Sequence, residues 1–396
     1  MKIAVIGAGV QGSGIALLLS KNPEVSEIVC SDVNFARAKH LAENLHSQKV
    51  SAQKVDSSKI NDILKVIEGA DTVINASLPK FNLKIMDAAL KSRVNYVDLA
   101  ADLPIKESIQ KSLRLGRKWK NAGLTAVINQ GGPFVMNVLV RHAADRLDKV
   151  DSIRLRFGWK ETKKEERFYH LWEPKWSPEV NLDEWGPKPF IYEKRKLKQV
   201  PEFSGFEEYK FPEPLGAVPL CFIEYEPVFT LSRFIGKGVK YVDCKITVEP
   251  IVASLHKMGL GSDKPIEVKG VKVAPKDVLL TLIPPPVESE DKIATGEIDF
   301  VGCYLAEVQG EKNGEKLTYT MHTGVHSMHE AYETYGTPWA DVSVPATITA
   351  TMLAKGRIKV KGVIPPEGLE PKPFLAELAK AGMTFQETVT REIVNM

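Results

Sequence analysis

From residue 1 to about 130 the chain alternates short apolar runs with stretches whose apolar residues recur every three or four positions. The runs are 2 to 8 (KIAVIGA), 27 to 32 (EIVCSD), an edge-like 49 to 56 (KVSAQKVD), 71 to 77 (DTVINAS), 94 to 100 (VNYVDLA) and 124 to 130 (LTAVINQ). Runs this apolar are what strands buried on both faces show. Between them, GSGIALLLSK, ARAKHLAENL, INDILKVIEGA, NLKIMDAALKS and KESIQKSLRLGRKWKNA carry the helical period. Strand and helix in turn predict an α/β fold built on a doubly wound parallel sheet.

After Gly131, Gly132 and Pro133 the runs lengthen, aromatic residues cluster, and Pro is frequent between 174 and 227. SIRLRFGW (152 to 159), KYVDCKITVEP (240 to 250) and the segment 294 to 326, with EKNGEK as its hairpin turn, predict a second α+β domain on a mostly antiparallel sheet. Helical periodicity returns in PATITATMLAKG (345 to 356) and PFLAELAKAGM (373 to 383). The expected division is 1–130, 131–344 and 345–396, and no internal repeat is visible.

The chain has 396 residues, 43% of them hydrophobic and 26% charged, which is a globular composition with room for two or more cores. A formal charge of +3 makes no case for nucleic acid, and the basic run 193 to 198 (EKRKLK) reads as a solvated segment. No apolar stretch is long enough to span a membrane, and glycines interrupt the amino-terminal run at turn spacing, against a signal peptide. Cys30, Cys221, Cys244 and Cys303 have neither CxxC spacing nor a disulfide pattern, so a reducing cytoplasm is expected.

Gly7, Gly9 and Gly12 follow the first strand and open the first helix, the setting that makes GxGxxG a dinucleotide fingerprint. The first domain is therefore expected to be a Rossmann domain. Gly7, Ala8, Gly9, Val10, Gln11 and Gly12 would cradle a pyrophosphate at the helix amino terminus. Asp32, twenty residues past Gly12, is placed either to bind the adenosine ribose hydroxyls or to cap the next helix. An acid there points to NAD, while nearby Arg37 and Lys39 keep NADP open. Asp56 is a further candidate beside the adenine. The nicotinamide is expected at the end of the fourth strand, at Ser77, Leu78 and Pro79, which equally serve as a strand exit.

VIGAGVQGSGIA, DTVINASLP, MDAALKSRVNYVDLAAD, AGLTAVINQGGP and the closing SVPATITATMLAKG with KGVIPPEGLEPKPFLAELAKAGMTF resemble the saccharopine dehydrogenase-like family, which includes saccharopine reductases and lysine 6-dehydrogenases. The resemblance implies that the closing segment packs back on the nucleotide domain. It also implies a middle sheet that holds the substrate and a partner subunit, and hydride transfer at an amine carbon through an imine. The chain departs from the pattern after the sixth strand, where QGGPFVMN stands in place of an APG-like sequence, so the backbone expected to line the substrate cleft differs there.

Such chemistry calls for an acid/base group beside the nicotinamide. Asp98 and Asp102, after the fifth strand, are candidates, or else caps of a turn and a helix. His322, with His326, His329 and Glu330, is another candidate; strand-like alternation would place residues four apart about 13 Å from each other, so no metal site is expected. Trp159, Trp172, Trp176, Trp185, Phe168 and Tyr169, with Arg167 and Lys175, are either a cage for an ammonium group or ordinary packing. Arg156 and Arg233 are candidate carboxylate partners.

The expected activity is an NAD(P)-dependent oxidoreductase acting on the C–N bond of an amino acid or its secondary-amine conjugate, of saccharopine or lysine type. A carboxynorspermidine-type dehydrogenase, a non-catalytic dinucleotide sensor and an S-adenosylmethionine-binding protein are the alternatives. Partners are a small amine substrate and a second copy in a homodimer.

Overall fold

In the computed structural model, which describes residues 1–132, 135–163, 172, 174, 177–283 and 286–392, the first apolar runs form strands at the expected places. β1 (Lys2–Ile6) enters α1 (Val10–Lys21) through the glycine turn. The chain continues as β2 (Glu27–Asp32), α2 (Phe35–Asn44), β3 (Val50–Lys54), α3 (Ile60–Val66), β4 (Thr72–Asn75), α4 (Asn82–Lys91), β5 (Asn95–Asp98), α5 (Ile105–Arg114), α6 (Gly116–Asn121) and β6 (Thr125–Val127).

There follow α7 (Val135–Arg146), β7 (Lys149–Lys163), α8 (Pro178–Trp185), β8 (Phe190–Glu193), β9 (Lys196–Gln199), β10 (Glu207–Lys210), β11 (Ala217–Phe222), α9 (Pro227–Ile235) and β12 (Tyr241–Thr247). Next come α10 (Pro250–Lys257), β13 (Ile266–Val268), β14 (Val271–Val273), α11 (Pro275–Leu282), α12 (Pro286–Thr295), β15 (Asp299–Lys312), β16 (Glu315–His322) and β17 (His326–Ser327). The chain closes with α13 (Met328–Tyr335), α14 (Ala340–Ala354), β18 (Gly362–Ile364), α15 (Pro371–Lys380) and β19 (Gln386–Arg391).

The first sheet is parallel, in the order β18-β6-β5-β4-β1-β2-β3. Alternate residues of β1 enter different cores: Ile3 and Val5 one, Ala4 and Ile6 the other. This explains the unbroken apolar runs, because period-two alternation disappears when both faces are covered. β18 is not an amino-terminal element at all; Gly362, Val363 and Ile364 pair with Thr125, Ala126 and Val127.

The second sheet runs β10-β11-β12-β7-β15-β16-β19, with β8 and β17 on its sides. Its pairs are antiparallel except β12 with β7, which are parallel. A parallel pair needs a long crossover, and the chain between β7 and β12 supplies one. EKNGEK turns as expected, with Lys312 opposite Glu315 and Asn313 and Gly314 both at positive φ, as a two-residue hairpin requires. The basic run 193 to 198 is also a hairpin, β8 to β9, turning at Lys194 and Arg195.

One helix begins earlier than its pattern predicts. Pro345 reads as a helix start, yet it lies inside α14. Burial of Ala340, Val344, Ala346 and Ala350 against the nucleotide domain outweighs the one backbone bond that proline forgoes. Gly14 permits this packing, since a Cβ there would stand 2.6 Å from Ser343 Oγ.

Candidate functional site

The glycine turn is built by two steric demands and one vacancy. Gly7, at φ +104°, passes so near the end of β4 that a Cβ would lie 2.5 Å from the Ala76 carbonyl oxygen. A Cβ on Gly12 would overlap the Gly7 carbonyl oxygen, at 1.8 Å. At Gly9 a Cβ would meet nothing within 4 Å, and no side chain caps α1. The fold itself thus requires Gly7 and Gly12, while Gly9 leaves open space in front of an uncapped helix terminus. That arrangement fits a dinucleotide pyrophosphate. Ala8, Val10 and Gln11 complete the turn, with Gln11 Oε1 3.3 Å from Ser343 Oγ on α14.

Asp32 ends β2 beside this turn and ties it down. Its Oδ2 accepts from Ala8 N at 2.9 Å and its Oδ1 from Asn34 N at 2.9 Å. The cap of α2 is Asn34, whose side chain accepts from Ala36 N, so the helix-cap alternative for Asp32 does not hold. Arg37 and Lys39 are exposed on α2. Asp56 is absorbed in a local turn, where Ser58 Oγ (2.6 Å), Ser58 N (3.0 Å) and Lys59 (3.0 Å) hold its carboxyl at about 2. Ser77 closes the end of β4 by donating its N and Oγ to Asn75 Oδ1, at 3.0 and 2.6 Å.

From Leu78 and Pro79 a cleft extends between the domains. Its walls are Lys80, the loop Ala100 to Leu103 with Ile105, the α8 residues Glu179, Val180, Asp183 and Glu184, and Tyr225 with Glu226 ahead of α9. Five carboxyl groups (Asp102, Glu179, Asp183, Glu184, Glu226) thus line it against Lys80. Glu179 pairs with Lys80 at 3.6 Å and Asp183 with Lys276 at 2.8 Å. Glu184 accepts from Tyr225 OH at 3.3 Å, and burial together with the negative charge of Glu226 drives its carboxyl well above the ordinary range. Burial also raises Asp102, and it pushes Glu226 and neighbouring Glu224 up to about 7.

Asp98, at the end of β5, is not among the residues that line this cleft. It is 1% exposed, its Oδ1 accepts from Asn129 N at 2.6 Å, and burial raises it to about 7. Neither aspartate caps a helix: α5 begins after Pro104 without a side-chain cap, and Asp102 N donates to Ser108 Oγ at 3.2 Å. What Asp98 does is fasten the end of β6 to the end of β5, helped by Gln130 N donating to its backbone oxygen at 2.7 Å.

The histidine cluster is taken apart by the fold. β16 ends at His322 and the chain turns before His326, so the two do not share one strand. They face Leu305 and Gly302 of β15 respectively. Gly324 N donates to His322 Nδ1 at 3.0 Å, and burial lowers that imidazole. His329 rides on α13, and Glu330 forms the capping box of that helix with Ser327. Among the described residues no group of three His, Cys, Asp or Glu is arranged to hold a metal ion.

Of the aromatic group, Trp185 is buried and stacked on Phe203, with ring centroids 5.6 Å apart, and Trp172 is buried. Arg167, Phe168, Tyr169, Lys175 and Trp176 lie outside the described residues. Arg156 is spent within the second sheet on Asp243, at 2.7 and 3.1 Å, and Arg233 is exposed at the end of α9; neither lines the cleft.

Sequence reading missed Glu184 and Glu226. The signals were present: PEVNLDEW puts Glu179 and Asp183 four apart on one helix, a like-charge pair that an isolated helix disfavours. CFIEYEPVF sets two carboxylates inside an apolar run, where unpaired acids are costly.

A glycine turn at the switch point of a parallel sheet, with a cleft at the adjoining strand ends, defines a dinucleotide-binding domain. Residues 3–127 match the family model of the saccharopine dehydrogenase NADP binding domain and residues 134–383 that of the saccharopine dehydrogenase C-terminal domain. The chain belongs to the saccharopine dehydrogenase family. It is 25% identical to carboxyaminopropylagmatine dehydrogenase of Synechocystis sp., over 98% of both chains. It is 26% identical to carboxynorspermidine synthase of Vibrio alginolyticus, over 97% of this chain and 96% of that one. Apo saccharopine dehydrogenase (L-Glu forming) of Saccharomyces cerevisiae superposes with a TM-score of 0.71 at 17% identity, over 98% and 99% of the two chains, and so shares the fold.

Proposed function

We propose that this protein is an NAD(P)-dependent dehydrogenase acting on the C–N bond of a polyamine conjugate, formed from a carboxylated aldehyde and a diamine or agmatine. The observation that carries this reading is the acidity of the cleft, where Asp102, Glu184 and Glu226 stand beside the paired Glu179 and Asp183. An extended polycation finds charge-assisted acceptors there. Saccharopine carries three carboxylates and would need several cations; among the described lining residues there is only Lys80, already paired. The names of the two sequence relatives point the same way and away from the lysine or saccharopine substrate expected at first.

Bound at the glycine turn, the cofactor supplies or takes up the hydride. The chain's own residues do the rest: Gly7 to Gly12 and Asp32 position the dinucleotide, Asp98 holds the two strand ends together, and the cleft acids hold the amine chain. A twofold dimer through the second sheet belongs to this reading, supported by the exposed edge strand β19.

The test is cofactor oxidation by the purified protein with a short amino-acid semialdehyde plus agmatine or 1,3-diaminopropane, set against lysine plus 2-oxoglutarate. Turnover with the diamine pairs and not with the lysine pair is expected. The reverse pattern would return the substrate to the saccharopine type.

A further inference from the structure

We propose that Glu226 is the group that exchanges a proton with the amine nitrogen, and that it forms the chemical link between the two domains. Its position in the fold carries the argument. Glu226 comes from the second domain, at the start of α9, yet its Oε1 accepts from Ala101 N at 2.7 Å and from Asn129 Nδ2 at 3.4 Å. Those two residues follow β5 and β6, so the carboxyl is clamped at the carboxyl ends of the parallel strands. Ligands of such sheets react at that edge. Glu226 is only 4% exposed and is one of the residues that line the cleft.

The site is built to hold this carboxyl. Asn129 adopts φ +62°, uncommon for a residue with a side chain, with its N donated to Asp98 and its side chain turned to Glu226. Gly131 lies against the same loop, where a Cβ would stand 2.2 Å from the Leu99 carbonyl oxygen. Asp98 thereby acts as a positioning residue, one backbone turn removed from the carboxyl that meets the substrate. The groups facing Glu226 are Asp98 from β5, Glu184 from α8, Glu224 and Tyr225 from its own loop and Cys244 from β12. These are acids or neutral groups; burial pushes the Glu226 carboxyl up to about 7, against the lowering effect of the hydrogen bond from Ala101 N.

In the reducing direction the Glu226 carboxylic acid gives its proton to the imine nitrogen as hydride from the reduced nicotinamide reaches the adjacent carbon. The C=N π bond is replaced by one C–H and one N–H bond, and Glu226 remains as carboxylate. Oxidation reverses each transfer. The proposal rests on the C–N chemistry of the proposed function and holds for whichever amine the cleft accepts.

Glu226→Gln keeps an acceptor for Ala101 N and removes the proton. With the amine that turns over, kcat should fall by about 10²- to 10⁴-fold, the usual worth of acid/base assistance. Cofactor affinity should stay within about twofold, and the limb of the pH profile near 7 should vanish. Glu226→Asp should restore part of the rate. Turnover within about tenfold of the parent, or a limb that persists in Glu226→Gln, would overturn the proposal. Should the glutamine variant not fold, the temperature dependence of the unmodified enzyme's limb decides: a carboxyl has near-zero ionisation enthalpy, and an imidazole-like slope overturns the assignment. Should no amine turn over, the polyamine reading fails, while infrared spectra still test Glu226. A protonated-carboxyl band titrating near pH 7 and lost in Glu226→Gln supports it, and identical spectra refute it.

Discussion

The glycine turn at one end of β1 and the acidic cleft beyond β4 are made in opposite ways. At the glycine turn, everything from Gly7 to Asp32 comes from one strand-helix-strand unit, and the chain folds onto itself over a short distance. At the cleft, Lys80, Asp102, Glu184 and Glu226 come from four separate parts of the chain and meet only after both domains have formed. The first end is a motif that any chain building this turn must repeat. The second is an assembly in which residues can be exchanged singly, which leaves room for one family to serve different amines. The contrast predicts that substitutions at Gly7 or Gly12 disturb fold and cofactor together, whereas substitutions in the cleft separate substrate from cofactor.

The sharpest break should come at Gly12. Gly12→Val places a side chain onto the Gly7 carbonyl, and cofactor binding by calorimetry should be lost together with several degrees of melting temperature. Gly9→Ala meets no protein atom, so its melt should match the parent while cofactor affinity drops. Equal melts and equal cofactor affinities for the two variants would erase the distinction drawn at the turn. Next in size, Asp32→Ala removes acceptors for Ala8 N and for a ribose, and should weaken cofactor binding by about 1 to 3 kcal/mol. Unchanged affinity would show that Asp32 serves the loop alone.

Glu184→Gln is the counterpart in the cleft. It should raise KM for the amine about three- to tenfold, on the order of 1 kcal/mol, with cofactor affinity unmoved. A change in cofactor affinity instead would join the two ends that the comparison separates.

The smallest effect concerns pH. Burial raises Asp98, Glu224 and Glu226 to about 7, above the ordinary carboxylate range. Between roughly pH 4.5 and 7 the folded chain therefore keeps protons that the unfolded chain has released, so these groups lower stability as pH rises through that window. Asp56, held at about 2, acts below it. Melting temperature should be about a few degrees lower at pH 8 than at pH 5, and Glu226→Gln should reduce the difference, with Asp98 and Glu224 keeping the remainder. A parent protein equally stable at both pH values would contradict the burial of these three acids.

Much of the nucleotide half was legible because its information is local. Strands buried on both faces leave unbroken apolar runs, helices leave a 3.6 period, and Gly7 and Gly12 are required by contacts within one turn. The hairpin at Asn313 and Gly314 was legible for the same reason, since two adjacent residues decide it. The histidine segment was misread because period-two alternation does not reveal where a strand stops, and the break between His322 and His326 is set by pairing with β15.

Composition and pattern by themselves determined the α/β class and the glycine fingerprint followed by Asp32 at the end of β2. Tertiary structure alone decided which acid meets the cleft. Asp98 and Glu226 are both carboxyls near strand ends or helix starts, and nothing in their neighbours along the chain ranks them. Their burial and partners separate them: Asp98 is enclosed on Asn129 N, while Glu226, more than a hundred residues away, is carried to the edge of β5 and β6 by the docking of α9. Such a ranking depends on contacts between distant segments, and those exist only in the folded chain.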